Sequence, residues 1–311
     1  MGSPSTSPSA EPSADLLAGV ELGGTKILCL IGTGPDDVRR SVRIDVGEPG
    51  PTLAAAVAFF RLAASEGLEP RAIGIGSFGP VDLSPTSSTW GFVTTTPKPM
   101  WSGADVVGPF VDALGVPAGF DTDVNAAALA EGRWGAAVGL SDYVYLTIGT
   151  GIGGGAVVGG RIVHGLGHPE MGHIAVPRVA GDDFPGRCPF HGDCLEGMAS
   201  GPAVGDRFGR RAETLTGADR ERSVDLVSRY LGAGLRSIAC VLAPQRFVLG
   251  GGLASMPGVV EATAVHTARE LRDYPGVVAH QAPGFVVAAG LGGMAGPLGT
   301  LVLAERALAG G

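Results

Sequence analysis

The chain presents the same local pattern twice: an apolar segment, a glycine-rich turn that carries threonine, and a second apolar segment. The first copy is LLAGVELGGTKILCLIG, which begins at Leu16, and the second is DYVYLTIGTGIGGGAVVGGRIVHG, which begins at Asp142. Two apolar runs joined by a short glycine-containing segment are typical of a β-hairpin. The pattern therefore predicts two similar halves that each open with a hairpin, although the copies share a pattern and not an identity.

Helical patterns follow both hairpins. In the first half, helices are predicted at Leu53–Glu66 and Val106–Leu114, with a buried strand at Ala72–Leu83 between them. The other predicted helices are Asp123–Trp134, Ser223–Leu242, Val259–Leu271 and Pro297–Leu308. Strands that alternate with helices in this way indicate an α/β protein of two lobes.

Composition separates a short leader from the folded chain. Residues 1–14, MGSPSTSPSAEPSA, are rich in serine and proline and poor in apolar side chains, which predicts a disordered leader. The remainder divides into an N-terminal α/β lobe, 15–120, and a C-terminal α/β lobe, 121–311. We expect the last helix of the chain to pack back on the N-terminal lobe.

The charge balance excludes several classes of protein. With 22 basic and 30 acidic side chains the formal net charge is −8, and no cluster of basic residues suggests a nucleic-acid surface. No apolar run of about 18 residues predicts a membrane span, and no secretion signal is recognisable, so we expect a cytoplasmic protein. Only two basic residues are lysines, Lys26 and Lys98. We interpret that imbalance as compositional bias.

Three glycine-rich turns at the ends of apolar strands are candidates for phosphate binding. They are Gly23-Gly24-Thr25-Lys26, Gly149-Thr150-Gly151 and Gly250-Gly251-Gly252. Glycine lets a phosphate approach the backbone closely, and backbone N–H groups and threonine hydroxyls then supply hydrogen-bond donors. One such turn alone is better interpreted as a tight hairpin, but three together favour nucleotide binding. None has the spacing of a P-loop or of a dinucleotide-binding fingerprint.

A cluster of cysteine and histidine residues lies in the second half. Its members are His173, Cys188, His191 and Cys194. Two thiolates and two imidazoles suit tetrahedral zinc, and four protein ligands leave no open position, so we predict a structural zinc ion in a loop that spans 168–196. A Cys188–Cys194 disulfide and a chance grouping are the alternatives. No role is assigned to His164 and His168.

Three carboxylates near these motifs could take part in chemistry. Glu170 and Glu196 flank the predicted zinc ligands, and a rigid pair of carboxylates can accept hydrogen bonds from the vicinal hydroxyls of a sugar. Asp123 opens a predicted helix, where it is either an N-cap or a general base that takes a proton from an attacking hydroxyl. The sequence leaves both interpretations of Asp123 open.

These segments together resemble the ROK family of sugar kinases, within the actin/hexokinase-like ATPase superfamily, and in particular its bacterial fructokinases. The resemblance extends from about Leu17 to the C-terminus. The matching stretches are Glu21–Lys26, Ser77–Asp82, Thr95–Trp101, Asp121–Asn125, Thr147–Gly155, His168–His173 and Cys188–Pro202. The resemblance implies a two-lobed fold of duplicated ribonuclease H-like domains and a homodimer. It also implies ATP and Mg²⁺ as cofactors, in addition to the structural zinc.

The resemblance also implies roles for individual residues. Asp123 matches the catalytic base, Glu170 and Glu196 match carboxylates that hold sugar hydroxyls, and His173 matches a zinc ligand beside the sugar. The turns at Gly23–Lys26 and Gly149–Gly151 match phosphate loops. The turn at Gly250–Gly252 matches the adenosine motif, and Pro202 lies in a stretch that is similar to part of the nucleotide pocket.

Three departures from the glucokinase-like members point to the fructokinase branch. Thr122 stands before the base where an asparagine is usual, so we count it among the substrate-binding residues. The zinc cluster contains Cys-Pro-Phe-His, and Glu21 replaces an aspartate and could orient Mg²⁺ through water.

The resemblance implies ATP-dependent phosphorylation of the primary hydroxyl of a hexose, with D-fructose as the expected substrate. Mannokinase, glucokinase and N-acetylmannosamine kinase activities are the alternatives. A sugar-sensing regulator of the same fold would need a DNA-reading domain before the first strand and a basic recognition helix, and the sequence predicts neither.

Overall fold

The fold is seen in a computed structural model of the chain. The structure describes residues 15–96, 98–272, 274, 280 and 282–310. The predicted leader, residues 1–14, lies outside the described residues.

The described residues form two five-stranded sheets with helices packed on them. The strands are β1 (Leu17–Leu22), β2 (Lys26–Gly34), β3 (Asp37–Asp45), β4 (Ala72–Ser77), β5 (Ala118–Thr122), β6 (Tyr143–Ile148), β7 (Ile152–Val158), β8 (Arg161–Ile162), β9 (Arg246–Gly250) and β10 (Val286–Ala288). The helices are α1 (Pro49–Ser65), α2 (Gly108–Leu114), α3 (Asp123–Trp134), α4 (Leu195–Ala199), α5 (Gly201–Phe208), α6 (Gly217–Leu242), α7 (Val259–Leu271) and α8 (Ala295–Leu308). None of these described helices has the length and apolar content needed to cross a membrane.

The two sheets have the same topology. In the first sheet the strand order is β3-β2-β1-β4-β5, and in the second it is β8-β7-β6-β9-β10. The first three strands of each set pair antiparallel, and the last two run parallel to the strand that opens the set. The predicted duplication is therefore confirmed in the order and direction of the strands, and both glycine-rich hairpins are present, as β1–β2 and β6–β7.

The helices α3 and α8 join the two lobes. Helix α8 lies on the first sheet, against β1, β4 and β5, and crosses α3, which also contacts strands of both sheets. The close approach of α8 to the first sheet and to α3 requires glycine: a side chain at Gly74 would overlap the carbonyl of Thr300, and one at Gly299 would overlap the carbonyl of Ala126. The N-terminus of α3 is thereby fixed between the lobes.

Element boundaries agree with the sequence pattern where strong local signals are present. Helices α3 and α7 have the predicted bounds. Helix α1 begins earlier than predicted, at Pro49, because proline is well placed in the first turn of a helix. The sequence pattern did not predict β3, which contains the consecutive polar residues Arg39, Arg40 and Ser41, or the short strands β5 and β10.

Candidate active site

A cleft between the lobes collects most of the predicted site residues. Its cavity of about 820 Å³ falls in the range of small-molecule sites, roughly 300–1,000 Å³. The predicted residues in its wall are Gly24, Thr25, Lys26, Asp123, Gly149, Thr150, Gly151, Glu196, Gly250, Gly251 and Gly252. Glu21 also lines it. An adjoining cavity of about 600 Å³ shares Gly149, Thr150 and Gly252 with the cleft and is lined by Pro202.

The two hairpin turns offer backbone donors to the cleft. The first turn is closed by a hydrogen bond from the Gly23 N–H to the Lys26 carbonyl (3.0 Å). The second is closed by one from the Gly149 N–H to the Gly151 carbonyl (2.9 Å). In each turn, the two N–H groups after the closing donor have no acceptor among the described residues. Such N–H groups at a concave turn can bind the oxygens of a phosphate.

The third glycine turn packs on the end of β6. Gly251 has a φ of +90°, and a side chain there would meet the Ile148 backbone. A side chain at Gly250 would overlap the hydroxyl of Tyr145. Glycine is therefore required at both positions. The N–H of Leu253 donates to the Ile148 carbonyl (2.9 Å) and holds the turn in place. The second and third turns are thus brought together in one wall of the cleft.

Asp123 is the first residue of α3, and a different residue caps that helix. The hydroxyl of Thr122 accepts a hydrogen bond from the Asn125 N–H (3.1 Å), so Thr122 is the N-cap and its side chain is buried. The carboxylate of Asp123 accepts from the Val124 N–H (2.8 Å) and faces the cleft. The capping interpretation of Asp123 therefore fails, and its carboxylate is available for chemistry.

Burial raises the pKa of Asp123 to about 7, and the negative charge of Glu170 adds to the increase. Backbone N–H groups, including that of Val124, oppose it in part. Burial also raises the pKa of Glu21 to about 7, with a further increase from Asp123 and a decrease from Lys26. A carboxyl group that titrates near neutrality is suited to act as a general base.

Glu196 connects the cleft to the predicted zinc loop. It lies in the first turn of α4, and its Oε2 accepts a hydrogen bond from the Ile152 N–H (2.9 Å) at the start of β7. A side chain at Gly151 would approach this carboxylate to 2.7 Å, so the second hairpin turn and Glu196 are in close contact.

Glu170 is held by a histidine to which the sequence pattern gave no role. The Val81 N–H of the first lobe donates to Nε2 of His168 (3.2 Å), so this nitrogen carries no proton. The proton of the neutral ring is therefore on Nδ1, which lies 3.3 Å from Oε1 of Glu170. The only signal available in the sequence was that His168 and Glu170 lie two positions apart, in a segment that is neither helix nor strand.

His164 makes an unexpected contact with the first sheet, at β5. Its Nε2 lies 3.0 Å from Oδ2 of Asp121, a buried carboxylate at the end of β5. The other oxygen of Asp121 accepts from the side-chain amide of Asn125 (2.6 Å). The hydrogen bond to Asp121 raises the pKa of His164.

The four predicted metal ligands converge. Their candidate ligand atoms all lie within 4.8 Å of one another. Sγ of Cys188 is 3.6 Å from Nδ1 of His173 and 3.8 Å from Nδ1 of His191, and Sγ of Cys194 is 3.6 Å from Nδ1 of His173. With zinc–sulfur bonds of about 2.3 Å and zinc–nitrogen bonds of about 2.0–2.1 Å, tetrahedral ligands would be separated by about 3.6 Å. Both cysteines are free, so the disulfide alternative is wrong and the donor set fits a tetrahedral ion.

Comparison with known proteins identifies the family. The sequence profile of the ROK family matches residues 17–307. The chain belongs to the ROK family. A fructokinase from Zymomonas mobilis is 39% identical over 93% of this chain and 96% of its own length. A fructokinase from Pediococcus pentosaceus is 35% identical over 94% of this chain and 99% of its own length.

A solved ROK structure has the same fold. The ROK hexokinase from Thermus thermophilus is 30% identical and superposes with a TM-score of 0.75 over 95% of this chain and 100% of that chain. The predicted actin/hexokinase-like α/β fold is thereby confirmed. In this ROK protein, the three glycine turns, Asp123 and Glu196 share one cleft. The predicted site residues outside the wall of its main cavity are Gly23, Thr122, Glu170, His173, Cys188, His191, Cys194 and Pro202, of which Pro202 lines the adjoining cavity.

Proposed function

We propose that this ROK protein is an ATP-dependent fructokinase that phosphorylates the primary 6-hydroxyl of D-fructose. The observation that carries the proposal is the position of Asp123, whose carboxyl group has a pKa of about 7 and shares a cleft with two hairpin turns rich in unused N–H donors. A general base and two turns that can bind phosphate, in one cavity, support phosphoryl transfer to a hydroxyl. The choice of fructose rests on the fructokinases at 35–39% identity.

In the proposed reaction, Asp123 accepts the proton of the sugar hydroxyl. The hydroxyl oxygen forms a bond to the γ-phosphorus, and the bond between that phosphorus and the bridging oxygen of ADP breaks. The N–H groups of the two hairpin turns bind phosphate oxygens and stabilise the transferring group. Mg²⁺ bound with ATP would neutralise phosphate charge, and Glu21 is the residue we assign to orient it, through water.

The sugar would bind at the side of the cleft where the zinc loop meets α4. Glu196 and Glu170 would accept hydrogen bonds from sugar hydroxyls, with His173 beside them. The two carboxylates are held differently, Glu196 by the backbone of β7 and Glu170 by His168. The hydroxyl of Thr122 already caps α3, so its predicted contact with the sugar stays a prediction.

The adenosine would occupy the adjoining cavity. Pro202 lines this adjoining cavity. The turn at Gly250–Gly252 lines the cleft that contains the two hairpin turns. Gly149, Thr150 and Gly252 belong to both cavities, so a nucleotide in the second one could present its phosphates to the first.

Zinc would fix the loop that carries the sugar-binding carboxylates. Cys194 is the N-cap residue of α4, and Glu196 is two residues further on, so a metal bound at Cys194 holds the start of the helix that presents Glu196. His173 lies after Glu170 in the same short turn, and the His173 N–H donates to the Glu170 carbonyl (3.0 Å). We therefore assign the ion a structural role, because four protein ligands leave no site for water.

The test is the rate of ADP release with MgATP and fructose, mannose, glucose or N-acetylmannosamine at equal concentrations. Turnover dominated by fructose supports the proposal. Turnover dominated by another hexose would keep the kinase and remove the fructose assignment, and no turnover with any of the four would contradict the proposal. Asp123→Asn is the control for background ATP hydrolysis. The homodimer and the cytoplasmic location stay predictions, and light scattering tests the first.

A further inference from the structure

The two lysines of the chain lie in the same cavity. The sequence has 22 basic residues, and only Lys26 and Lys98 are lysines. Both line the cleft between the lobes. Compositional bias explains why arginine is preferred along the chain, but it does not explain why both exceptions share one site. Lys26 is the last residue of the first glycine turn, whereas Lys98 comes from a separate segment to which no function has been assigned.

The Lys98 ammonium group is directed at the first glycine turn. A methyl group added at Gly24 would lie 3.3 Å from Nζ of Lys98. The same ammonium lies over the ring of Phe78, 4.7 Å from its centroid, where the aromatic face attracts a cation. Nζ is therefore held beside the turn whose N–H groups have no acceptor among the described residues.

A buried tryptophan anchors the backbone of Lys98. The N–H of Trp101 donates to the Lys98 carbonyl (2.9 Å), and its indole Nε1–H donates to the Gly47 carbonyl (3.0 Å). The Trp101 ring also packs edge-on against Phe78, with 5.7 Å between ring centroids. Phe78, which supports the ammonium group, and Trp101, which fixes the backbone of Lys98, therefore pack together as one rigid unit.

Lys98 has no carboxylate partner in the part of the chain that the structure describes. Burial is the cause that lowers the pKa of Lys98, with no contribution from a neighbouring charge. Lys26 differs, because it interacts with Glu21 and lowers the pKa of that carboxyl group. A half-buried cation beside N–H groups that have no acceptor among the described residues forms a site for an anion.

We propose that Lys98 binds the γ-phosphoryl group of ATP from the first lobe and stabilises the charge on that group while it passes to the sugar. The inference rests on the proposed function. The bond that forms joins the sugar oxygen to the γ-phosphorus, the bond that breaks releases ADP, and the proton of the hydroxyl goes to Asp123. Lys98 keeps its own proton throughout and acts only as a donor and a positive charge.

The test compares Lys98→Met with Lys98→Arg in the full chain. Removing one donor to a developing charge lowers kcat by about 10²–10³-fold, and we expect Lys98→Met to lose that much while KM for the sugar stays near its wild-type value. Lys98→Arg keeps the charge and should lose less. Arg61→Met, which removes an exposed positive charge on α1, is the matched control and should leave kcat unchanged.

A binding measurement separates this role from a structural one. Calorimetry with ADP, aluminium fluoride and fructose probes the transferring phosphoryl group, and calorimetry with ADP alone does not. We expect Lys98→Met to lose affinity for the first set by the same factor as kcat and to bind ADP like the wild type. A wild-type kcat in Lys98→Met, or an effect confined to KM for the sugar, would overturn the inference. An inactive wild type would instead overturn the proposed function.

Discussion

The two lobes have sheets of the same topology, but they differ in the length of the segment after the third strand. In the first lobe, residues 46–48 connect β3 directly to α1. In the second, residues 163–194 lie between β8 and α4 and include all four candidate metal ligands. A loop of this length within a compact domain is uncommon and is usually functional. We infer that the shared scaffold carries phosphoryl transfer and the inserted loop carries the choice of sugar.

The loop packs apolar side chains such as Met171 and Phe184 on the core of the second lobe, and two polar anchors hold it in addition. One anchor is the predicted metal site formed by His173, Cys188, His191 and Cys194. The other is Asp182, a buried carboxylate that pairs with Arg207 of α5 (3.0 Å) and accepts a hydrogen bond from the Tyr230 hydroxyl (2.6 Å). The scaffold side of the cleft is held instead by backbone hydrogen bonds and by close contacts at glycines. Different changes should therefore damage the two sides separately.

The largest effect is expected on the scaffold side. Replacing Asp123 with asparagine keeps the shape of the side chain and removes the base. General-base catalysis contributes about 10²–10⁴-fold, so we expect kcat to fall by that factor. Fructose affinity and metal content should not change. An Asp123→Asn variant with wild-type turnover would contradict the assignment of the base.

The next effect is expected on the loop side. Cys188→Ser should lose the metal and weaken fructose binding by about 10–100-fold, because the start of α4 and Glu196 are no longer fixed. Elemental analysis and titration with fructose measure the two losses. Cys240→Ala is the control, since Cys240 is exposed and lies outside the cluster. If the metal-free protein keeps its affinity for fructose, the metal-bound loop is not needed to position the sugar-binding residues.

The pH dependence of the reaction tests whether Asp123, on the scaffold side of the cleft, is the general base. The base must be ionised, and the pKa of Asp123 is about 7, so activity should be present above that pH and lost below it. We expect kcat/KM for the sugar to fall about tenfold for each unit well below pH 7. Glu21 titrates in the same range and interacts with Asp123, so the profile reports the pair. A flat profile between pH 5 and pH 8 would exclude a base with this pKa.

The smallest effect is expected where the loop touches the first lobe. His168→Ala removes the close contact between Nδ1 and the Glu170 carboxylate (3.3 Å), and an interaction of about 1 kcal/mol corresponds to roughly a fivefold rise in KM for the sugar, with kcat preserved. Leu166→Ala, at an exposed position of the same loop, should have no effect. A loss in kcat with an unchanged KM would place His168 in the chemical step instead.

The sequence predicted those features that depend on local pattern. The duplicated hairpins were visible because glycine turns come after apolar strands, and α3 was placed correctly because good helix formers come after a run of possible caps. The interpretation of Asp123 could not be settled in the same way, since Asp121, Thr122 and Asp123 can all cap a helix and only the backbone geometry shows which one does.

The contacts between distant segments could not be predicted. His168 reaches Val81, which is 87 positions away in the chain, and a lone histidine gives no signal of such a partner. Lys98 was interpreted as part of a compositional bias, because nothing in the sequence places it beside Gly24. The metal cluster was predicted because three of its four ligands are close together in the chain, and the donor types suit one geometry.

Titration of fructose into Asp123→Asn and Cys188→Ser, side by side, tests most directly whether the scaffold carries the chemistry and the loop the sugar. We expect Asp123→Asn to bind fructose with wild-type affinity although it cannot turn the sugar over, and Cys188→Ser to bind it weakly. The reverse result, with fructose binding lost in Asp123→Asn and retained in Cys188→Ser, would contradict the division of labour between the two regions.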